Sequence, residues 1–466
     1  MSRDGNGQSG NGLRRFKRYP AYKDSGVEWL GNIPSHWDCN RLKHLSSEAL
    51  KYGANESAEL NDTTQPRFIR ITDIDGDGRL RDETFRSLPE AVARPFLLRE
   101  GDVLFARSGG TVGKTFLYQK SWGKACFAGY LIRFRADTSK CIAPFVWRFT
   151  KTAAYDNWLS SVFIQATIQN VSAEKYANFA LSVPPIDEQE RILRFLDRET
   201  KKIDALVVKL ERLIGLLQEK RTALISHAVT KGLDPTVPMK DSGVEWLGQI
   251  PAHWDVKRLK YLVSRVGSGK TPKGGAEIYV EKGILFLRSQ NIHFTGLRLN
   301  DVVHIDTQID AEMACSRVLP NDVLLNITGA SLGRCSLVPD NFPAANVNQH
   351  VCVIRPRKEK ISPAFLHDCL SSRAVQRQIF SSENGTSREG LNFVQVSQLV
   401  LAMPRSKTEQ CEIARSIRFR TAQLDKLITK VRDGIDKLRE YRTALISAAV
   451  TGKIDVREET TSPKEV

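Results

Sequence analysis

The sequence predicts an α+β fold: two similar mixed α/β domains, each followed by a long α-helix. The two helices pair as an antiparallel coiled coil, about a pseudo-twofold internal repeat. Three observations predict it. One stretch of chain is written twice, almost verbatim; β-branched and aromatic runs alternate with Gly, Pro and Asp turns inside each copy; and an apolar stripe at 3–4 spacing closes each copy.

The chain opens on MSRDGNGQSGNGLRRFKR, a Gly/Ser/Asn-rich basic stretch read as a flexible tail over residues 1–18, with no apolar run suited to an export signal. The first domain is expected over 19–186. Its head, Lys23–Asp38, reads KDSGVEWLGNIPSHWD, and Lys240–Asp255 reads KDSGVEWLGQIPAHWD, identical at all but two positions. Further on the copies diverge but stay in step: FIRITDI faces FLRSQNI, and GDVLFARSGGTVGK faces NDVLLNITGASLGR. KACFAGYLIRFR and QHVCVIRPR complete the strand set, with helical stretches at Pro144–Ser160 and Pro363–Phe380. A spacer helix follows over 187–230, a linker over 231–239, a second domain over 240–407, a second helix over 408–452 and a flexible tail over 453–466.

The helix stripe is assigned to Ile203, Leu206, Leu210 and Leu217 in the first copy, and to Leu424, Leu427, Val431 and Leu438 in the second. A sustained 3–4 repeat flanked by charge is a coiled-coil signature. Both stripes share one register and the chain must turn back between them, so antiparallel pairing is the simplest burial. Leu193, Val207, Ile214, Leu216 and Ile225 fall off that seam and offer a further apolar surface to a partner.

Composition narrows the partners. The chain of 466 residues has a net charge of +16 and an isoelectric point near 9.5, the balance of a protein that binds a polyanion. No apolar run approaches a bilayer span. Eight cysteines without a C-x-x-C pair read as reduced thiols in the cytoplasm, with neither disulfide nor zinc site.

Loops carry the candidate double-stranded DNA contacts. In both copies a strand runs into a small-residue loop ending in a cation: Arg107, Ser108, Gly109, Thr111 and Lys114 in one, Thr328, Ser331 and Arg334 in the other. Small residues let backbone amides approach a phosphate, and the cation adds charge; an ordinary turn with a solvated cation is the alternative. Neither this loop nor Gly267–Thr271 has the glycine a nucleotide-binding loop needs. Base-edge donors and acceptors are offered by Gln165, Thr167, Gln169 and Asn170, and in the second copy by Thr386, Arg388 and Asn392. Arg70 and Arg288, with Gln290 and Asn291, are further candidates. Asp73, Asp75 and Asp77 imitate the start of a calcium loop, but the twelfth position is Thr84, so a polar turn is the reading and no metal is assigned. Trp29, Trp37, Trp246 and Trp254, with His36 and His253, lie in the shared heads and read as packing anchors. No catalytic arrangement recurs in both copies, and there is no Asp/Asn-Pro-Pro-aromatic methyltransferase motif, since Pro184-Pro185 sits between Val183 and Ile186.

The heads S-G-V-E-W-L-G-x-I-P-x-H-W, the Glu-Gln pairs at Glu188 and Glu409, and R-T-A-L-I-S at Arg221–Ser226 and Arg442–Ser447 together resemble the specificity subunit of type I restriction enzymes. The resemblance implies two target recognition domains, each reading one half of a split DNA sequence. It implies helices that space the domains and dock methylation subunits, two in number, with restriction subunits joining them. It also implies that this chain is non-catalytic within an adenine DNA methyltransferase and restriction complex. S-adenosylmethionine, ATP and magnesium then belong to the partner subunits, and this chain carries no cofactor. The alternative is a stand-alone DNA-binding regulator acting as an intramolecular pseudo-dimer.

Overall fold

The structure, a computed structural model, describes residues 16–459 except 58, 76–77, 79, 165–169, 273 and 384–389. The chain divides into two compact units. One takes the chain up to Leu210 together with the stretch from Asp433; the other is Glu211–Arg432.

In the first unit an antiparallel sheet has the order Lys51–Tyr52, Leu131–Phe134, Val103–Ala106, Thr115–Leu117, with Val103 opposite Phe134 and Leu117. Every residue of Val103–Ala106 is buried, because alternate side chains serve different layers. Val103 and Phe105 join the large core with Phe145, Phe149 and Phe179; Leu104 and Ala106 join a smaller one with Ile69, Phe116 and Phe127. That smaller core is closed by a parallel pair, Arg67–Ile69 with Ala125–Phe127. The second unit repeats the plan. Its sheet runs Val263–Ser268, Val351–Pro356, Val323–Asn326, Cys335–Leu337, and Leu285 of Ile284–Leu287 pairs in parallel with Ala345. A buried carboxylate fixes the central pairing in each: Asp102 takes both ends of the Arg135 guanidinium at 2.8 and 2.7 Å, and Asp322 takes Arg355 at 2.8 and 2.8 Å. The two helical stretches expected after the sheets are each broken in two: Ala143–Phe149 with Ala153–Ile164, and Pro363–Ser371 with Arg373–Glu383.

The long helices run Ile186–Lys231 and Lys407–Val450. At 1.5 Å per residue the first, with 46 residues, is about 69 Å long. Each ends on a left-handed glycine, Gly232 (φ 77°) and Gly452 (φ 72°), where side chains with a Cβ pay a steric cost. Gly452 also sits where a Cβ would lie 2.4 Å from Pro34 Cδ.

The helices pair antiparallel inside each unit. In the first, Arg442 Nε donates to Asp204 at 2.9 Å, joining the late part of the second helix to the early part of the first. In the second unit Arg221 Nε donates to Asp425 at 3.2 Å, the same pair with the helices exchanged. Both arginines begin an R-T-A-L-I-S stretch.

The seam differs from the expected one. Ile203 and Leu217 are buried, and Leu210, Leu424, Val431 and Leu438 are half-buried. Leu206 and Leu427, however, are each 44% exposed, and their neighbours Val207 and Ile428 turn inward instead. At Leu206-Val207, Leu213-Ile214 and Leu427-Ile428 two apolar residues are adjacent, so spacing alone fits either one. The second helix resolves the choice at Thr421, Ile428 and Ile435, which are buried one heptad apart.

The repeated heads join domain to helix. Glu188, in the first turn of its helix, is buried and accepts from Tyr19 Oη (2.7 Å) and Trp37 Nε1 (3.1 Å), with His36 Nε2 at 2.8 Å. Gln189 accepts from Ile142 N–H and donates to Pro184 O, both at 2.8 Å. In the second unit Glu409 accepts from Trp254 Nε1 (2.9 Å) beside His253, and Gln410 accepts from Ser362 N–H. Trp37 and Trp254 are fully buried, as packing anchors should be.

Candidate nucleic-acid interface

The small-residue loops leave the central strands at equivalent points and fold alike. Gly109 and Gly113 have φ of 74° and 85°; Gly329 and Gly333 have 70° and 81°. Only glycine takes these values cheaply, which explains the glycines in an otherwise varied stretch. Val112 N–H donates to Gly109 O, Gly113 N–H to Ala106 O and Lys114 N–H to Thr111 O. Leu332, Gly333 and Arg334 repeat the pattern. These three amides in each loop are therefore spent on the turn. Gly109 and Gly110 in one loop and Gly329 and Ala330 in the other are exposed at the tips; beside them Ser108 and Thr111 are half-buried with Lys114 exposed, and Thr328, Ser331 and Arg334 are half-buried.

Two segments flank each loop. On one side, Val171 N–H donates to Arg107 O at 2.9 Å and Ser108 bridges Asn170; Leu391 N–H donates to Ile327 O at 2.8 Å and Thr328 bridges Gly390. On the other side Arg107 N–H donates to Tyr130 O, and Ile327 N–H to His350 O, both at 3.0 Å. The described end of each segment expected to read bases, Asn170 in one unit and Gly390 in the other, therefore lies beside its loop. Gln165, Thr167, Gln169, Thr386 and Arg388 themselves lie outside the described residues.

Several candidates are engaged within their own domain. Arg107 Nε donates to Asn170 Oδ1 at 3.3 Å and its guanidinium lies 4.7 Å from the centroid of Tyr52. Arg70 grips the buried Asp73 (3.1 and 2.7 Å) and reaches Thr84 O. This accounts for Asp73 as the anchor of a polar turn, and among the described residues no cluster of three metal-ligating side chains occurs. Arg288 donates to Asp301 O, and Asn291, buried, accepts from Arg288 N–H at 2.9 Å, as Asp73 does from Arg70 N–H at 2.8 Å. Gln290 is exposed. Ser331 Oγ accepts from Asn326, and Thr328 Oγ1 lies 2.6 Å from His350 Nδ1. Asn392 caps Phe393–Gln398, accepting from Gln395 N–H at 2.8 Å; Ser172 caps Ala173–Ala177 at the matching place.

Beside the loops stand residues not singled out from sequence: Tyr130, which is 64% exposed, with Gln349 and His350 at the matching place in the repeat. Tyr130 lies inside KACFAGYLIRFR, which reads as continuous strand; the turn between Ala125–Phe127 and Leu131–Phe134 puts it outside. All eight cysteines are free, and burial pushes the Cys126, Cys141, Cys335 and Cys352 thiols up to about 12, so they are held as unreactive core residues. No helix among the described residues is long and apolar enough to cross a membrane.

Comparison with known proteins agrees with this architecture. Residues 57–213 match the family model of the type I restriction modification DNA specificity domain. The chain is 25% identical over 304 residues to the EcoBI type I restriction enzyme specificity subunit of Escherichia coli, spanning 64% of this chain but only 63% of that protein. It is 20% identical over 381 residues to the MjaVIII specificity subunit of Methanocaldococcus jannaschii, spanning 81% of this chain and 85% of that one. Its fold is shared with a chain from a type I R-M system solved for its complex assembly and conformational transition (TM-score 0.64, 16% identity, 90% of this chain and 98% of the other). It is also shared with the HsdS subunit of Thermoanaerobacter tengcongensis (TM-score 0.51, 15% identity, 91% and 98%). A duplicated domain on paired helices, the match over residues 57–213 and the curated relatives together make the chain similar to type I restriction enzyme specificity subunits.

Proposed function

We propose that this protein reads a bipartite, asymmetric sequence in double-stranded DNA and directs methylation and restriction subunits to it. One observation carries the reading. The two units share a backbone down to individual loop hydrogen bonds, yet present different side chains at matching positions: Lys114 against Arg334, Asn170 against Gly390, Tyr130 against His350. A shared scaffold with unlike outer residues suits two readers of unlike half-sequences. The net charge of +16 supplies the sequence-independent attraction to phosphate.

The chain acts in the cytoplasm without catalysis of its own, with S-adenosylmethionine held by two methylation subunits and ATP and magnesium by the restriction subunits. Leu206, Val208, Leu213, Leu216, Phe419 and Leu427, all exposed on the long helices, favour partner docking over a stand-alone regulator. Methylation-sensitive sequencing of DNA from cells carrying the complex tests the reading. The expected result is one modified target made of two unlike specific parts separated by a fixed unspecific gap. A contiguous or palindromic target refutes it.

A further inference from the structure

The corner beside each small-residue loop has a construction that the loop itself does not require. Gly53 packs so closely that a Cβ would lie 2.2 Å from Phe127 O and 2.4 Å from Ala128 O; at Gly269 the matching distances are 1.6 Å to Val347 O and 2.9 Å to Asn348 O. In each unit a neighbouring strand therefore clamps the turn just before Tyr130 or His350. The carbonyl of that residue is then fixed by the N–H of Arg107 or Ile327. In both units the turn is held from two sides, by a close glycine approach on one and by the same backbone bond on the other.

What the turn presents differs. Tyr130 stands 64% exposed and its hydroxyl has no hydrogen bond among the described residues. It borders a cleft of about 430 Å³ shared with Asn55, Arg70 and Thr72. In the second unit the ring of His350 is tied to Thr328 by Nδ1 and lies 3.1 Å from Gln349 Nε2 by its other nitrogen, with Gln349 exposed. One corner offers an aromatic face and a phenol, suited to a thymine methyl or a stacked base; the other offers an imidazole and a carboxamide, suited to a purine edge. A rigid mount with interchangeable chemistry is what sequence discrimination needs, because a mobile side chain reads nothing in particular.

We propose that this corner is specificity-determining: Tyr130 reads one base pair or step of the first half-sequence, and Gln349 with His350 reads one of the second. The inference rests on the DNA-reading function proposed above. The experiment uses the full chain assembled with its methylation subunits, and profiles modified sites in a randomised duplex library for wild type, Tyr130→Ala, Tyr130→Phe and His350→Ala. Thermal unfolding of each variant confirms that it is folded. Tyr130→Ala is expected to lower discrimination about tenfold or more at one or two adjacent positions of the first half, leaving the second half unchanged. Tyr130→Phe retains part of it, and His350→Ala mirrors the loss in the second half. A wild-type preference in two parts that both alanine variants leave intact overturns the inference alone, as does a loss spread over both halves. A wild type without a two-part preference overturns the reading on which it rests, and the inference with it.

Discussion

Replacing Glu188 by Ala should destabilise the protein far more than the matching change at Glu409, although both residues occupy the same place in the repeat. Glu188 is 4% exposed and accepts from two fully enclosed donors, Tyr19 Oη at 2.7 Å and Trp37 Nε1 at 3.1 Å. Burial, and Glu188 beside it, hold the Tyr19 phenol far above its ordinary range, so it remains a proton donor. Removing the carboxylate leaves both donors buried and unpaired, at about 1–3 kcal/mol each, or about 2–6 kcal/mol together. Glu409 has a side chain that is 30% exposed and serves one enclosed donor, Trp254 Nε1; His253, half exposed, can turn to water. Its loss should cost about 1–3 kcal/mol. For units of this size each kcal/mol lowers a melting temperature by about 2–4 °C. Differential scanning calorimetry of the two variants should show a shift for Glu188→Ala at least twice that for Glu409→Ala. Equal shifts, or a larger one for Glu409→Ala, would show that these contacts do not set the strength of the domain–helix junction.

Two further outcomes check the helices and the acid response. Ile428→Ala, at a position 6% exposed, should cost about 2–4 kcal/mol in urea unfolding, whereas Leu427→Ala, at 44%, should stay within about 0.5 kcal/mol; similar costs would refute the seam described here. The Ser139 hydroxyl at 2.6 Å, followed by Lys140 at 3.0 Å, holds the Asp137 carboxyl down at about 2. A depressed carboxylate contributes stability that is present above its unfolded value near about 4 and is lost as pH falls towards 2. Unfolding measured across that window should fall less steeply for Asp137→Asn than for wild type, and parallel curves would exclude the contribution.

Much of the architecture is legible in the residues because the duplication is strong where structure demands it. The heads are near-identical because each must bury a Trp and offer its indole N–H to a glutamate, and R-T-A-L-I-S recurs because each arginine meets the aspartate of the opposite helix. The seam was legible only to within one residue, since adjacent apolar pairs satisfy the same periodicity and packing decides between them. Tyr130 was not legible at all. An aromatic amid β-branched neighbours resembles a core strand residue, and only the turn after Phe127, imposed by the parallel pairing to Arg67–Ile69, carries it outside. Arg70 and Arg288 show the converse: they are spaced like contact residues, yet each is anchored to its own domain.

The division of the chain has a consequence for how the protein is made. The second unit, Glu211–Arg432, is one uninterrupted stretch, but the core of the first contains Leu445, Val450, Ile454 and Val456 packed with Trp37 and Leu181. A ribosome moving from the N-terminus therefore completes the second unit first. The first unit, although begun earlier, must wait for nearly the last residues described before its apolar surface is covered. A chain cut short near residue 440 would carry a finished second unit and an open first one, a species marked for aggregation or proteolysis. Placing the closing segment after the second unit means that the first unit is completed only once the second has been synthesised.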